Sequence, residues 1–292
     1  MRDLFRALRA KARRIPGELE GSGIEMAVVT ISRELGSGGR EVGLMLSSAP
    51  GYSFVDRESI LARLKAAGHK WERWTEGLDE HTPRVWEKYD WSYRGFVAMV
   101  QSTIMNEASS GRAIVMGRGG NYLLQGVPFA LRVRVVAVLE ERVARISERE
   151  GIDEDSANWL IEKTDRERAG YLLGVYGRDG KDPADYDLVF DSTVMPIDRI
   201  AAAITGSLPE KDRLMDEKSM NALKMRALAA EIKASLFTTL PFFMPTLEVD
   251  FDGKAVRVRG VVRLPRERAL VMNEAGKIAG GAPLKFELKY RQ

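Results

Sequence analysis

The sequence predicts an α/β fold, a three-layer parallel sheet with flanking helices, followed by a small α+β domain. Three features carry this reading. Short, almost continuous apolar runs alternate with helical patterns, as buried parallel strands and their crossover helices require. The first of those runs leads straight into a cluster of glycines. Near the C-terminus the apolar period falls to two on either side of Asp252-Gly253, the signature of a hairpin.

In chain order, residues 1–24 set Leu4, Phe5 and Leu8 among arginines, a short amphipathic helix that ends before Pro16 and the Gly-Ser-Gly at 21–23. Such a helix suits either a solvated terminus or a membrane-touching surface. The α/β domain spans 25–208. Ala27–Ile31, interrupted only by Thr30, reads as its first strand, and a helix follows through Val42, Leu44 and Met45. Tyr52–Asp56 is the second strand and Ser59–Ala67 a helix. Four of the five tryptophans (Trp71, Trp74, Trp86 and Trp91) crowd into residues 70–96, beside Tyr89, Tyr93 and Phe96. Ala113–Gly117 and Leu131–Ala137 are further strands, and charged helices follow at 139–150 and about 153–172. Asp187–Asp191 is a fifth strand and Asp198–Thr205 a closing helix. Right-handed crossovers in such a sheet bring ligand-binding loops to the strands' C-terminal edge.

Residues 209–292 form the second domain. Glu217–Leu236 keeps helical spacing through Met220, Leu223, Leu228, Ile232 and Leu236, and Pro241 and Pro245 break it. Leu247, Val249 and Phe251 then alternate, and Val256 and Val258 alternate back. Asp252-Gly253 between them predicts a type I′ turn, whose two central residues take positive φ. A helix at 265–278, a Gly-Gly break and a strand at Leu284–Leu288 complete an αββαβ unit.

Composition narrows the function. Of 292 residues, 45% are apolar and 30% charged, which excludes a disordered or collagen-like chain. There is no cysteine, so disulfides, thiolate metal sites and cysteine nucleophiles are ruled out, in keeping with a reducing, cytoplasmic setting. His69 and His81 are the only histidines, too few for a histidine-rich metal centre. The N-terminus carries no apolar stretch of secretory type. The net charge of +3 is uneven: +5 over residues 1–14 and +4 over 246–292, leaving −6 between them. A nucleic acid is therefore not expected as a partner of the central domain, whereas a small phosphorylated ligand held by a few arginines is.

The first strand opens into Ser32-Arg33-Glu34-Leu35-Gly36-Ser37-Gly38-Gly39-Arg40-Glu41 and then a helix. Glycines let backbone N–H groups converge on an anion, and the helix end adds its positive dipole. Against the phosphate-loop pattern G-x-x-x-x-G-K-[ST], Glu34 stands at the first glycine, Arg40 at the lysine and Glu41 at the hydroxyl residue. Arginine neutralises phosphate, commonly with two bonds, but is not equivalent to lysine. A tight strand-to-helix turn would carry the same glycines. Gly117-Arg118-Gly119-Gly120 offers an arginine at the sheet edge or a simple turn. Asp165-Arg166-Glu167-Arg168, with Arg142 and Arg145 on the preceding helix, is either a functional cluster or a solvated face.

Taken together, the segments from Val29 to about Ser207 resemble the cytidylate kinase-like family of P-loop nucleoside monophosphate kinases. The resemblance rests on the loop at 31–41, Phe54-Val55-Asp56-Arg57-Glu58, Met116-Gly117-Arg118-Gly119, Glu141-Arg142 with Arg145, Asp165 with Arg168, Asp182-Pro183 and Tyr186-Asp187-Leu188-Val189. It implies transfer of the ATP γ-phosphoryl group, with Mg2+, to a CMP-like nucleoside monophosphate. Gly36, Ser37, Gly38, Gly39, Arg40 and Glu41 would then cradle the ATP phosphates. Asp56, Arg57, Arg118, Gly119 and Asp165 would face the acceptor, and Arg40, Arg166 and Arg168 would serve the transferred phosphate. Gly119 stands where the relatives have an aspartate that contacts the base. The tryptophan-rich stretch coincides with their acceptor-binding insertion, so one indole could stack on a base or all could pack a core. The C-terminal unit resembles a BON domain through Val249, Asp252-Gly253, Val256, Gly260 and the helix ending at Gly276–Gly280. That resemblance implies docking to a protein or to an anionic membrane surface. The other class of function left open is a nucleotide-binding regulator with little turnover.

Overall fold

The computed structural model describes residues 27–49, 51–66 and 90–291. The basic segment 1–24 and Trp71, Trp74 and Trp86 lie outside the described residues. Two compact units result, one drawing on Met1–Thr82 and Ser110–Met215, the other on Pro83–Ser109 and Asp216–Gln292.

In the first unit, β1 (Val28–Arg33), β2 (Ser53–Val55), β3 (Ala113–Met116), β4 (Ala130–Val136) and β5 (Leu188–Asp191) form one parallel sheet in the order β2-β3-β1-β4-β5. Strand β1 occupies the middle because it is apolar on both faces: Val28, Val29 and Ile31 are wholly buried. Its register sets Ile31 beside Met116 on one side and Val133 on the other. The helices Gly39–Ser47 and Ile197–Arg213 cover one face, packing Val42, Leu46, Ile200 and Ile204 on the inward side chains of the sheet. The chain leaves β1 for the far edge, returns through β3 and then crosses to β4. This reversal opens a crevice at the C-terminal end of β1.

The helix after β1 turns differently from its apolar spacing. Leu44 and Met45 are 46% and 48% exposed, while Gly43 faces the sheet. A Cβ at Gly43 would stand 2.7 Å from the Met116 sulfur and 3.0 Å from the Phe54 ring, so a side chain there would have to displace both. The helix Ile197–Arg213 also outruns its expected end, passing through Pro209, so the boundary expected at 208 falls inside it. Leu208, buried in the sheet-facing cluster, anchors that last stretch. The charged helices Leu139–Glu150 and Glu154–Tyr176 pair through Ile146, Ala157 and Ile161, and Leu35 of the loop after β1 packs into the same cluster.

The second unit is the expected αββαβ arrangement with one added helix. Glu217–Thr239 opens at an Asp216–Ser219 capping box. Strands β6 (Glu248–Phe251), β7 (Val256–Val262) and β8 (Leu284–Tyr290) form a sheet in that order, antiparallel then parallel, with the helix Pro265–Ala279 as the crossover. The added helix is Trp91–Ser109, whose Ala98 enters this unit's core. Trp91 packs on Phe237 at a ring separation of 4.4 Å, so this tryptophan lies half-buried against the core. The hairpin is not of type I′. Phe251 pairs with Val256 across a four-residue loop, and among the described residues only Arg112 and Arg118 are non-glycine residues of positive φ. The Asp252 carboxylate instead accepts from the Lys254 and Ala255 N–H groups at 2.9 Å, closing the loop through its side chain.

Asp187 ties β4 to β5, accepting from the Arg132 backbone N–H at 2.8 Å and from its guanidinium at 2.9 Å. Burial would raise its carboxyl pKa, but the hydrogen bonds from Arg132 and the Lys211 charge outweigh this and hold it below the ordinary range. A depressed carboxyl contributes stability above the unfolded-state pKa and loses it as pH falls through the folded one. The thermal midpoint is therefore expected to drop as pH falls below about 4, and Asp187→Asn to flatten that decline. Calorimetry across the acid range decides it: an acid limb equally steep in the variant contradicts the assignment.

Candidate active site

The loop between β1 and its helix is held from outside by charged side chains. Glu34, the first residue past β1, accepts from Arg134 at 3.2 Å and from Arg142 at 3.1 Å. The Leu35 N–H donates to Asp165 at 2.9 Å, and both Arg142 terminal nitrogens donate to the other Asp165 oxygen at 2.8 Å. Arg142, with only 8% of its side chain exposed, thus joins the loop to the long charged helix. Arg145 donates to the Gly36 carbonyl at 3.3 Å and to Ser192 at 2.8 Å, and the Ser192 hydroxyl donates to the Ser37 carbonyl at 2.7 Å. Gly36 and Gly38 take φ of 80° and 78°, the left-handed region that favours glycine. A Cβ at Gly38 would also strike Ile197 at 2.5 Å. This curvature leaves the start of the helix Gly39–Ser47 facing the crevice, an anion-attracting end by its dipole.

Two cavities open there. The larger, about 770 Å³, is walled by the glycine loop with Arg40, Glu41, Arg145 and Arg149. The smaller, about 200 Å³, is walled by Arg118, Gly119, Arg134, Asp165, Tyr171 and Lys181. Arg33, Glu34 and Arg168 wall both. Arg118 is 7% exposed and takes φ of 57°, a strained conformation for a side chain of its size. Burial pushes its guanidinium pKa down to about 10, Tyr171 opposes that, and Arg168 and Arg57 add to it. Arg168 is likewise lowered by burial, Asp165 opposing and Arg142 and Arg149 adding. Burial pushes the Tyr171 hydroxyl up to about 12, with Arg118 opposing. Cations crowded without equal countercharge are costly, and an anion entering the cavities relieves that cost.

The anticipated site residues separate into groups. Gly36, Gly38, Gly39, Arg40 and Glu41 meet at the larger cavity, and Arg118, Gly119 and Asp165 at the smaller, with Arg168 between. Ser37 is wholly buried, its hydroxyl donating to the Glu34 carbonyl at 2.9 Å. Arg40 and Asp56, expected on the donor and acceptor sides, pair with each other at 3.0 Å, and Glu58 adds a second carboxylate at 3.6 Å. Arg57 begins the next helix and is felt electrostatically by Arg118. Arg166 is not brought in: its side chain is 77% exposed beside Glu162, because two residues on a helix turn it about 200° from Arg168.

Arg33, Arg134 and Lys181 are cavity residues that pattern reading passes over. For Arg33 a signal was present: a cation ending an apolar central strand, just before a glycine loop. At Gly119 the space for a side chain is taken. A Cβ there would lie 2.1 Å from the Tyr176 ring, whose hydroxyl donates to the Arg118 carbonyl at 2.9 Å.

Arg142→Met leaves Glu34 and Asp165 with a shared partner removed, and the expected cost is about 3–5 kcal/mol of unfolding free energy. Urea denaturation measures it; a loss below about 1 kcal/mol would place the pair among surface-type ion pairs instead.

Residues 28–194 match the model of the cytidylate kinase-like family. Cytidylate kinases of Thermoplasma acidophilum and Thermoplasma volcanium are 26% and 25% identical to this chain over 187 residues, covering 63% of it and 94% and 93% of their own lengths. Among solved structures, an uncharacterized protein from Eubacterium ventriosum superposes with a TM-score of 0.48 at 18% identity, covering 63% of this chain and 98% of that one.

Proposed function

The chain belongs to the cytidylate kinase-like family, and on that premise we propose that it transfers the γ-phosphoryl group of ATP to a nucleoside monophosphate, with a CMP-like acceptor as the first choice. The observation that carries this reading is the pair of cavities sharing Arg33 and Arg168 as walls. ATP would lay its phosphates along the glycine loop in the larger cavity. The acceptor phosphate would enter the smaller one against Arg118 and Arg168. An acceptor oxygen forms the new bond to the γ-phosphorus as that phosphorus parts from the β–γ bridging oxygen, which leaves with ADP. Charge spreads over the three equatorial oxygens during this step, and fixed guanidinium groups stabilise it without reorganising.

Magnesium would arrive with ATP, held by phosphates, waters and one or two carboxylates. Glu41, in the helix's first turn at the mouth of the larger cavity, suits that position, whereas the Ser37 hydroxyl is already committed to Glu34. The bound ion would offset charge on the β- and γ-phosphates.

ADP production from ATP and magnesium, screened against CMP, dCMP, UMP, AMP, GMP and no acceptor, tests the reading. Stimulation by a monophosphate is expected, and a flat response across the panel refutes it. Arg118→Ala and Arg168→Ala are expected to lower the stimulated rate by about 10²–10³-fold while the far-ultraviolet circular dichroism is retained. Full activity in both variants removes them from the site.

Gly119→Asp should not restore a base contact, because Tyr176 fills the space and φ is 70°. The expected result is a loss of about 1–3 kcal/mol in stability with the acceptor ranking unchanged. A folded variant with a new preference for CMP contradicts it.

A further inference from the structure

Arg40 is the residue that the loop pattern aligns with the phosphate-binding lysine, yet its guanidinium is already engaged. Asp56 lies 3.0 Å and Glu58 3.6 Å away, and the group rests 5.7 Å from the Phe54 ring centre. Two carboxylates already share this guanidinium, so less of it is open to a phosphate.

Arg33 is in the opposite condition. It ends β1, is largely buried, and forms no ion pair among the described residues. Two glycines make room for it. A Cβ on Gly39, at the start of the loop's helix, would meet the Arg33 Cβ at 2.6 Å. A Cβ on Gly117, just past β3, would meet an Arg33 terminal nitrogen at 2.1 Å. Its side chain therefore runs from the donor loop across to the backbone of the Arg118 loop, with its guanidinium against Gly117. Among the described residues only Arg33, Glu34 and Arg168 wall both cavities, and Glu34 is held by Arg134 and Arg142.

We propose that Arg33, not Arg40, is the cation that binds the transferring phosphate of the nucleotide, reaching it from the end of the strand where ordinary phosphate loops use a lysine on the helix. The burial that surrounds Arg33, and after it the charges of Arg168, Arg118 and Arg40, lower its pKa well below the usual arginine value, with Asp165 opposing. That is the electrostatic state of a cation awaiting an anion. The inference rests on the phosphotransfer reading, but binding tests it separately from turnover.

Inorganic tripolyphosphate, titrated by calorimetry without acceptor, reads the contact directly. Arg33→Met is expected to weaken its binding by about 10–100-fold, the scale of a lost charge-assisted hydrogen bond. Arg40→Met should weaken it less than about fivefold, and Arg33→Lys should recover part of the loss. The unliganded melting temperature supplies a second readout. Removing an uncompensated buried charge is expected to leave it unchanged or raise it, whereas a merely structural arginine would lower it. Binding that survives Arg33→Met, a larger loss in Arg40→Met, or no tripolyphosphate binding by the unsubstituted protein overturns the proposal. A flat acceptor panel with the Arg33 dependence intact overturns only the kinase reading.

Discussion

Everything at the crevice depends on Arg142 lying between Glu34 and Asp165. Those carboxylates line the cavities beside Arg33 and Arg168, and both are paired with a buried guanidinium of the helix Leu139–Glu150. The ion pairs do two jobs at once. They hold the loop's entry and the two charged helices in a fixed relation, and they spend Glu34 and one Asp165 oxygen on Arg142, leaving the other Asp165 oxygen 3.7 Å from Arg168. An attractive network behind the loop is thus what permits a surplus of positive charge in front of it.

That arrangement trades stability for readiness. Burial disfavours the charged forms of Arg33, Arg118 and Arg168, and neighbouring guanidiniums disfavour them further. Arg118 adds a positive φ. Such costs persist only where the surrounding structure over-determines them. Here the surroundings are a central strand buried on both faces, close helix packing at Gly43, and Leu35 wedged between the charged helices. Electrostatic repulsion of this kind is relieved when an anion binds, so affinity and cavity geometry are coupled through charge.

How much of this was legible in the sequence varies with the distance over which each feature is decided. The strands could be read because two-sided burial writes a continuous apolar run, as at 28–31. The glycine loop and the arginines at 118 and 168 could be read as well, and their clustering followed from the family resemblance. Pairing among charged residues was not legible: the Arg40–Asp56 contact links residues whose spacing in sequence says nothing about their meeting at a sheet edge. Nor was Arg166 separable from Arg168 by composition, since only helix phase divides them. Gly43 misled in the other direction. An exposed Leu44 and Met45 look like core in a pattern, because hydropathy does not record how near the helix comes. The turn at Asp252 failed similarly, a local side-chain hydrogen bond taking the place of a backbone conformation.

The placement of the helix Trp91–Ser109 has a consequence for how this chain is cut and how it is made. In sequence it sits between β2 and β3, but its apolar side is completed by residues beyond 216. The chain therefore passes between the two units three times. A fragment ending near 208, the boundary that linear reading suggests, would carry this helix with its partner surface missing, leaving Ala98 and Trp91 in contact with water. During synthesis the same helix emerges well before Glu217–Thr239, so its burial must wait for over a hundred further residues. A fragment faithful to the fold has to follow the contacts, by joining β2 to β3 with a new linker or by keeping the whole chain.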